Sequence, residues 1–148
     1  MPFSGLNLSD LHPGDALPEV VKHLSQDKVN LYANAAGDFN PIHVDEAFAA
    51  KTDFGGTIAH GMLILAYVSE MMTLAFGESW FSAGKLAIRF KSPAHSKDTV
   101  TATGKINSIS EEDGIANIKC NVTCRNQKQD TIVIGEASVK ISLNNEGI

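Results

Sequence analysis

Cysteine is scarce in this sequence: of 148 residues, only Cys120 and Cys124 carry thiols. Two cysteines do not make a disulfide scaffold, and theirs is not the Cys-x-x-Cys spacing of zinc or redox sites. On a strand, residues four apart share a face, so both read as small buried hydrophobes. Basic residues are also few, 12 Lys and Arg against 17 Asp and Glu for a net charge of -5. With no Lys/Arg-rich run, the chain has no electrostatic footprint for nucleic acid or an anionic membrane surface. Long hydrophobic runs are missing too. The longest, Met62 to Phe76, falls short of the roughly 20 residues of a membrane span and contains Ser69, Glu70 and Thr73. No charged segment followed by an apolar one opens the chain, so a secretory route is not expected and a cytoplasmic location is. Repeats, low-complexity stretches and Pro/Ser-rich linkers are absent, and a 43% hydrophobic content suffices for one core. Residues 1–148 therefore read as a single domain whose partner is a small molecule.

What is present falls into two halves. Pro2, Pro13, Gly14 and Pro18 favour irregular structure near the start, with Val20 and Val21 leading into a short extended piece. Ser25 suits an N-cap and Asp27 a first helical turn. Val29, Leu31, Tyr32 and Ala36 fall near helical spacing before Gly37 ends the run. The spacing predicts a second short helix from Val44 to Lys51, a loop from Thr52 to Thr57, and a longer helix from His60 to Phe76. That last helix is apolar on almost every side and so must be enclosed. The second half alternates with period two. Leu86, Ile88 and Phe90 form one strand, and Val100, Ala102 and Ile106 another. After a turn ending in Asp113-Gly114, a third carries Ala116, Ile118, Cys120, Val122 and Cys124 on one face. The last strand, about Thr131 to Ser142, sets Val133, Ala137, Val139 and Ile141 on one side and Ile132 and Ile134 on the other. A long apolar helix followed by an antiparallel meander implies an α+β architecture, a hot-dog fold in which the sheet wraps the central helix. One small sheet cannot cover such a helix, so at least a homodimer is expected.

Chemistry concentrates in Gly37-Asp38-Phe39-Asn40-Pro41-Ile42-His43. Gly37 permits backbone angles that other residues resist, and Pro41 fixes its own φ and pushes Asn40 toward an extended conformation. The segment is expected to be a shaped turn. Brought to one spot, Asp38 and His43 could hold one water between a carboxylate and an imidazole, the equipment of general acid-base catalysis near neutral pH. Taken singly, Asp38 could equally be an Asx-turn residue and His43 a partly buried core histidine. The second segment, Ile58-Ala59-His60-Gly61-Met62, leads into the buried helix. It places the Gly61 amide at the positive end of a helix dipole, where it can stabilise an oxyanion.

Tyr32 to Ala49, with Ile58 to Leu63, resembles the R-specific enoyl-CoA hydratases of the MaoC-like group. The pattern is an aromatic residue, then Gly-Asp-x-Asn-Pro-aliphatic-His, then Ala six residues on. Tyr32, Gly37, Asp38, Asn40, Pro41, Ile42, His43 and Ala49 meet it. Ala36 departs from the Ser, Thr, Gly or Cys more usual before the glycine, which touches no acid-base group. The resemblance implies that Asp38 and His43 are the catalytic pair, that the Gly61 amide binds the thioester oxygen, and that Asn40 and Ser69 support the pair or line the site. It implies reversible hydration of trans-2-enoyl-CoA to (R)-3-hydroxyacyl-CoA, with no metal and no dissociable cofactor. The histidines show no metal-ligand spacing in sequence, and no phosphate-binding glycine loop is present. Met71, Met72, Leu74 and Phe76 could bound a tunnel for the acyl tail along the helix, with core packing as their alternative role. His12, His23 and His95 read as surface residues. Three other readings stay open: a (3R)-hydroxyacyl-acyl-carrier-protein dehydratase, a hot-dog acyl-CoA thioesterase, and a non-catalytic acyl-thioester-binding module.

Overall fold

A computed structural model describes residues 8–143. After a 3-10 turn at Leu8–Asp10, the chain forms β1 (Val20–His23), α1 (Gln26–Ala36), α2 (Pro41–Val44), α3 (Glu46–Ala49), α4 (Gly61–Phe76), α5 (Glu78–Ala83), β2 (Lys85–Phe90), β3 (Thr99–Glu112), β4 (Ile115–Arg125) and β5 (Thr131–Ser142). The strands form one five-stranded antiparallel sheet in the order β1-β3-β4-β5-β2. None of the helices among the described residues is long and apolar enough to cross a membrane.

The meander follows from its turns. Asp113 (φ 52°) and Gly114 (φ 76°) both take left-handed angles, as a two-residue hairpin with the right-handed strand twist requires. They pin the register in which Glu112 faces Ile115 and Ile106 faces Cys120. Along β4, Ala116, Ile118, Cys120, Val122 and Cys124 are all buried, one residue in two, and they lie in the same core as Val100, Ala102 and Ile106 of β3 and Val133, Ala137 and Val139 of β5. Onto this surface α4 presents Ile64, Val68, Met71, Met72, Ala75 and Phe76, a stripe at helical spacing. The sheet is thus curved around α4, the α+β hot-dog arrangement expected from the sequence.

Two points differ from the expectation. The helix from Val44 to Lys51 is two one-turn helices, because Asn40 caps α2 with Pro41 in its first turn. Asp45 then leaves helical angles (φ -120°, ψ 100°), and its carboxylate caps α3 at the Phe48 N–H. His43 accordingly sits on a helical turn and not in irregular chain. The short helix α5 was not anticipated. A single copy encloses α4 on one side only, in keeping with the expectation that one sheet cannot cover it: Met62 is 60% exposed and Leu63 and Leu65 are half-buried, while the sheet covers the opposite face. Ile132 is buried on the side of β5 away from Val133, where it lines a cavity.

Burial raises the thiols of Cys120 and Cys124 to about 11, with the Glu136 carboxylate adding to the effect at Cys120. Both therefore stay protonated well above neutrality and lack the thiolate needed to attack an electrophile. A colorimetric disulfide reagent at about pH 8, where an exposed cysteine reacts readily, is expected to titrate neither thiol in the native protein and both in denaturant.

Candidate active site

The first half of the site is assembled by short-range hydrogen bonds. Gly37 (φ 70°) terminates α1 in the left-handed region, and its N–H and that of Asp38 both donate to the Ala33 carbonyl. Asp38 Oδ1 then accepts the Asn40 N–H at 3.2 Å, and Asn40 Oδ1 accepts the Ile42 N–H at 3.1 Å. Asp38 is thus an Asx-turn residue through one oxygen, while the other stands 4.0 Å from His43 Nε2. The two readings of Asp38 are compatible, since a carboxylate has lone pairs for both. Asn40 supports the turn that carries the pair.

His43 is 7% exposed and fixed from below. Its Nδ1 donates to the Ile58 carbonyl at 2.7 Å, and the Ile58 N–H donates back to the Ile42 carbonyl at 3.1 Å. This bond selects the tautomer with the proton on Nδ1 and leaves the Nε2 lone pair toward Asp38. A separation of 4.0 Å exceeds a direct hydrogen bond and suits a shared water.

The second half is the segment before α4. Its backbone is anchored by Ala59 N–H to the Ala94 carbonyl and Ser96 N–H to the Thr57 carbonyl. The buried Thr57 hydroxyl meets Gln26, Glu46 and Ser96. Gln26 in turn donates to the His43 carbonyl at 2.7 Å, so α1, α3 and this segment are tied behind the site. His60 is the N-cap of α4, and its carbonyl accepts from Leu63 and Ile64. The Gly61 N–H, at the first helical position, donates to no acceptor among the described residues. His43 and Gly61 line one cavity of about 310 Å³, closed on its apolar sides by Phe54, Ile64, Phe90 and Ile132. Asp38, with a side chain 52% exposed, does not line this cavity and meets it through its approach to His43.

The structure therefore brings Asp38, Asn40, His43 and Gly61 together and leaves Ser69, Met71, Met72 and Phe76 elsewhere. Met71 and Met72 are fully buried in the core. A Cβ on Gly104 of β3 would lie 3.2 Å from Met71 Cε, which puts that side chain over the middle of the sheet. Ser69 lies roughly 12 Å along the axis from Gly61, given the helical rise per residue. Its hydroxyl accepts from Trp80 Nε1 at 2.9 Å. Phe76 lines a separate cavity of about 460 Å³ with Leu11, Leu17 and Ile106, at the far end of α4.

Sequence reasoning passed over the role of His60. Its ring is 2% exposed and stacks on His43 with centroids 3.8 Å apart and planes 25° from parallel, with Tyr32 at 4.8 Å. Its Nε2 donates to the Asp38 carbonyl at 3.0 Å. Nδ1 is buried with no hydrogen-bond partner, an arrangement that costs about 1–3 kcal/mol. The joint presence of Tyr32 and His60 in the matched segments was the only signal available. Asp38, His43 and His60 also bring possible metal-ligand atoms within 4.8 Å of one another, a grouping their sequence spacing did not suggest. His43 Nδ1 and His60 Nε2 are engaged by backbone carbonyls, so the nitrogens each ring leaves free are His43 Nε2 and His60 Nδ1.

A carboxylate and an imidazole thus stand near a helix-terminal amide on a hot-dog fold, and comparison with known proteins shows the family to which the chain belongs. Residues 12–128 match the model of the MaoC like domain, and the chain belongs to the MaoC-like hydratase and dehydratase family. It is 33% identical over 121 residues to an (R)-specific enoyl-CoA hydratase of Aeromonas caviae, covering 81% of this chain and 88% of that protein. It is 32% identical over 146 residues to a 3-hydroxybutyryl-CoA dehydratase of Methylorubrum extorquens, covering 95% and 87%. The solved (R)-hydratase from A. caviae superposes with a TM-score of 0.77 at 31% identity, covering 89% of this chain and 98% of that one.

Gly61 lets Phe90 approach the helix start closely. A Cβ there would meet Phe90 Cε1 at 3.0 Å and Cζ at 3.1 Å, tighter than ordinary contact, and the half-exposed ring would have to shift. Gly61→Ala is expected to cost at most about 1 kcal/mol through overpacking, because the ring can give. The same change in a Phe90→Ala background should cost markedly less. Urea unfolding of the four proteins of this double-mutant cycle checks the coupling.

Proposed function

We propose that the chain catalyses the reversible hydration of trans-2-enoyl-CoA to (R)-3-hydroxyacyl-CoA. The observation that carries this reading is the convergence of Asp38 Oδ2 and His43 Nε2, 4.0 Å apart, beside a cavity that also exposes the unpaired Gly61 N–H. Each hydrogen of a water held between the pair finds an acceptor. One member removes a proton as the water oxygen bonds to the β-carbon. The π electrons of the double bond then move toward the thioester, whose carbonyl oxygen becomes an enolate. The removed proton is returned to the α-carbon, so that only water has been added, and dehydration runs the same steps backward.

The enolate oxygen is where charge develops, and a main-chain donor aimed there is worth roughly 3–4 kcal/mol in transition-state stabilisation. We assign that task to Gly61, with the α4 dipole reinforcing it. The acyl chain then lies against Phe54, Ile64, Phe90 and Ile132. No electron is gained or lost, and the proton transfers and charge stabilisation are met by groups of the chain, so the reaction proceeds without metal or dissociable cofactor. The R configuration and the CoA thioester are supported by the likeness to the (R)-specific enoyl-CoA hydratase of A. caviae. The half-covered face of α4 supports assembly as at least a homodimer.

With crotonyl-CoA as substrate and loss of enoyl absorbance as the signal, Asp38→Asn and His43→Ala are each expected to lower kcat by at least about a hundredfold while remaining folded. Near-normal rates in the folded variants overturn the mechanism. Release of free thiol with the enoyl absorbance retained would make the protein a thioesterase instead. Chiral analysis of the product tests the configuration, and matched CoA and carrier-protein thioesters test the carrier.

A further inference from the structure

We infer that His60 is a positioning residue that holds all three parts of this site in register. The inference rests on the hydratase reading for its kinetic consequences, but its geometry stands on its own. Asp38 and His43 belong to a mostly exposed excursion, residues 37–44, in which only His43 is buried. They do not grow from the sheet, so something buried must fix where they point. His60 touches both. Its imidazole face lies against the His43 ring at 3.8 Å, and its Nε2 grips the Asp38 carbonyl at 3.0 Å. The next residue in the chain is Gly61, whose amide direction is set where the His60 carbonyl accepts the first N–H groups of α4.

The ring cannot turn away to any better arrangement. Tyr32 borders it at 4.8 Å and 56°, His43 stacks on it, and the whole residue is 2% exposed. The bond to Asp38 places the proton on Nε2 and leaves Nδ1 as a buried acceptor without a donor. A histidine selected only to fill this space could be replaced by an apolar ring with no unpartnered nitrogen, at a gain in stability. What such a ring would lose is the donor to Asp38. What a flexible amide would lose is the flat wall against which His43 rests. Both functions are needed if the 4.0 Å gap between the carboxylate and the imidazole is to be kept, because acid-base geometry displaced by about 1 Å costs as much as a hundredfold in rate.

Two substitutions separate the functions. His60→Phe keeps the aromatic face and removes the donor, whereas His60→Gln keeps an N–H donor and removes the face. Each is expected to lower kcat for crotonyl-CoA hydration by roughly ten- to a hundredfold, with KM changed by less than about threefold, since the lost interaction shapes the reacting groups and not the bound thioester. The second readout is independent of activity. Long-range proton-nitrogen NMR of the imidazoles should show the wild-type His43 with its proton on Nδ1 and His60 with its proton on Nε2, and the His43 signals should shift in both variants. Folded variants with kcat within twofold of wild type, or rates that fall only in proportion to the folded fraction, overturn the inference. So do unchanged His43 signals. A wild-type spectrum with the His60 proton on Nδ1 overturns it without any variant. If the wild-type protein does not hydrate enoyl thioesters, the hydratase reading fails, and the NMR comparison still decides whether His60 orders His43.

Discussion

The site depends on the docking of residues 37–44 against residues 57–60. The Ile58 N–H donates to Ile42, His43 Nδ1 donates to Ile58, and His60 Nε2 donates to Asp38. Each of these bonds joins a group on one segment to a group on the other, and each fixes a different variable: backbone separation, imidazole tautomer, and the direction from which Asp38 enters. None is unusual alone. Taken together they dock two loops on each other, so that side chains standing on no strand are still held in place.

The sheet contributes at one remove. It holds α4 by a stripe from Ile64 to Phe76, so the helix start is a fixed point, and it brings Phe90 across the glycine that opens the helix. The Gly61 amide is exposed to the cavity because a helix leaves its first N–H groups unpaired, not because anything was distorted to free it. The methionines farther along the same helix are spent on the core.

Much of the fold was legible because its signals are local. Ser25 and Gly37 bracket α1 where a side-chain cap and a left-handed angle were expected. Asp113-Gly114 made the hairpin, and the alternation in β4 reproduced its burial residue by residue. In the site, Asp38, Asn40, His43 and Gly61 were readable for the same reason, each belonging to a contiguous motif with its own turn chemistry. The errors arose where the deciding partner is distant in sequence. Met71 and Met72 look alike as tunnel lining or core until the β3 surface is known, and Ser69 is claimed by Trp80 on a helix that lacked a strong pattern. Asp45 is the local exception, breaking a plausible helix because its own carboxylate caps the following turn. His60 stacks on a residue seventeen positions earlier, a relation no periodicity encodes.

The one-turn helices α2 and α3 bury little beyond His43 and Ala49. Segments with so few apolar anchors open by local fluctuation at a fraction of the free energy needed to melt a whole domain, whereas the meander exchanges its amides only when the core itself comes apart. An excursion anchored this lightly is expected to come loose before the sheet does, so that on warming the assembled site is lost while the circular dichroism of the sheet is still that of a native protein.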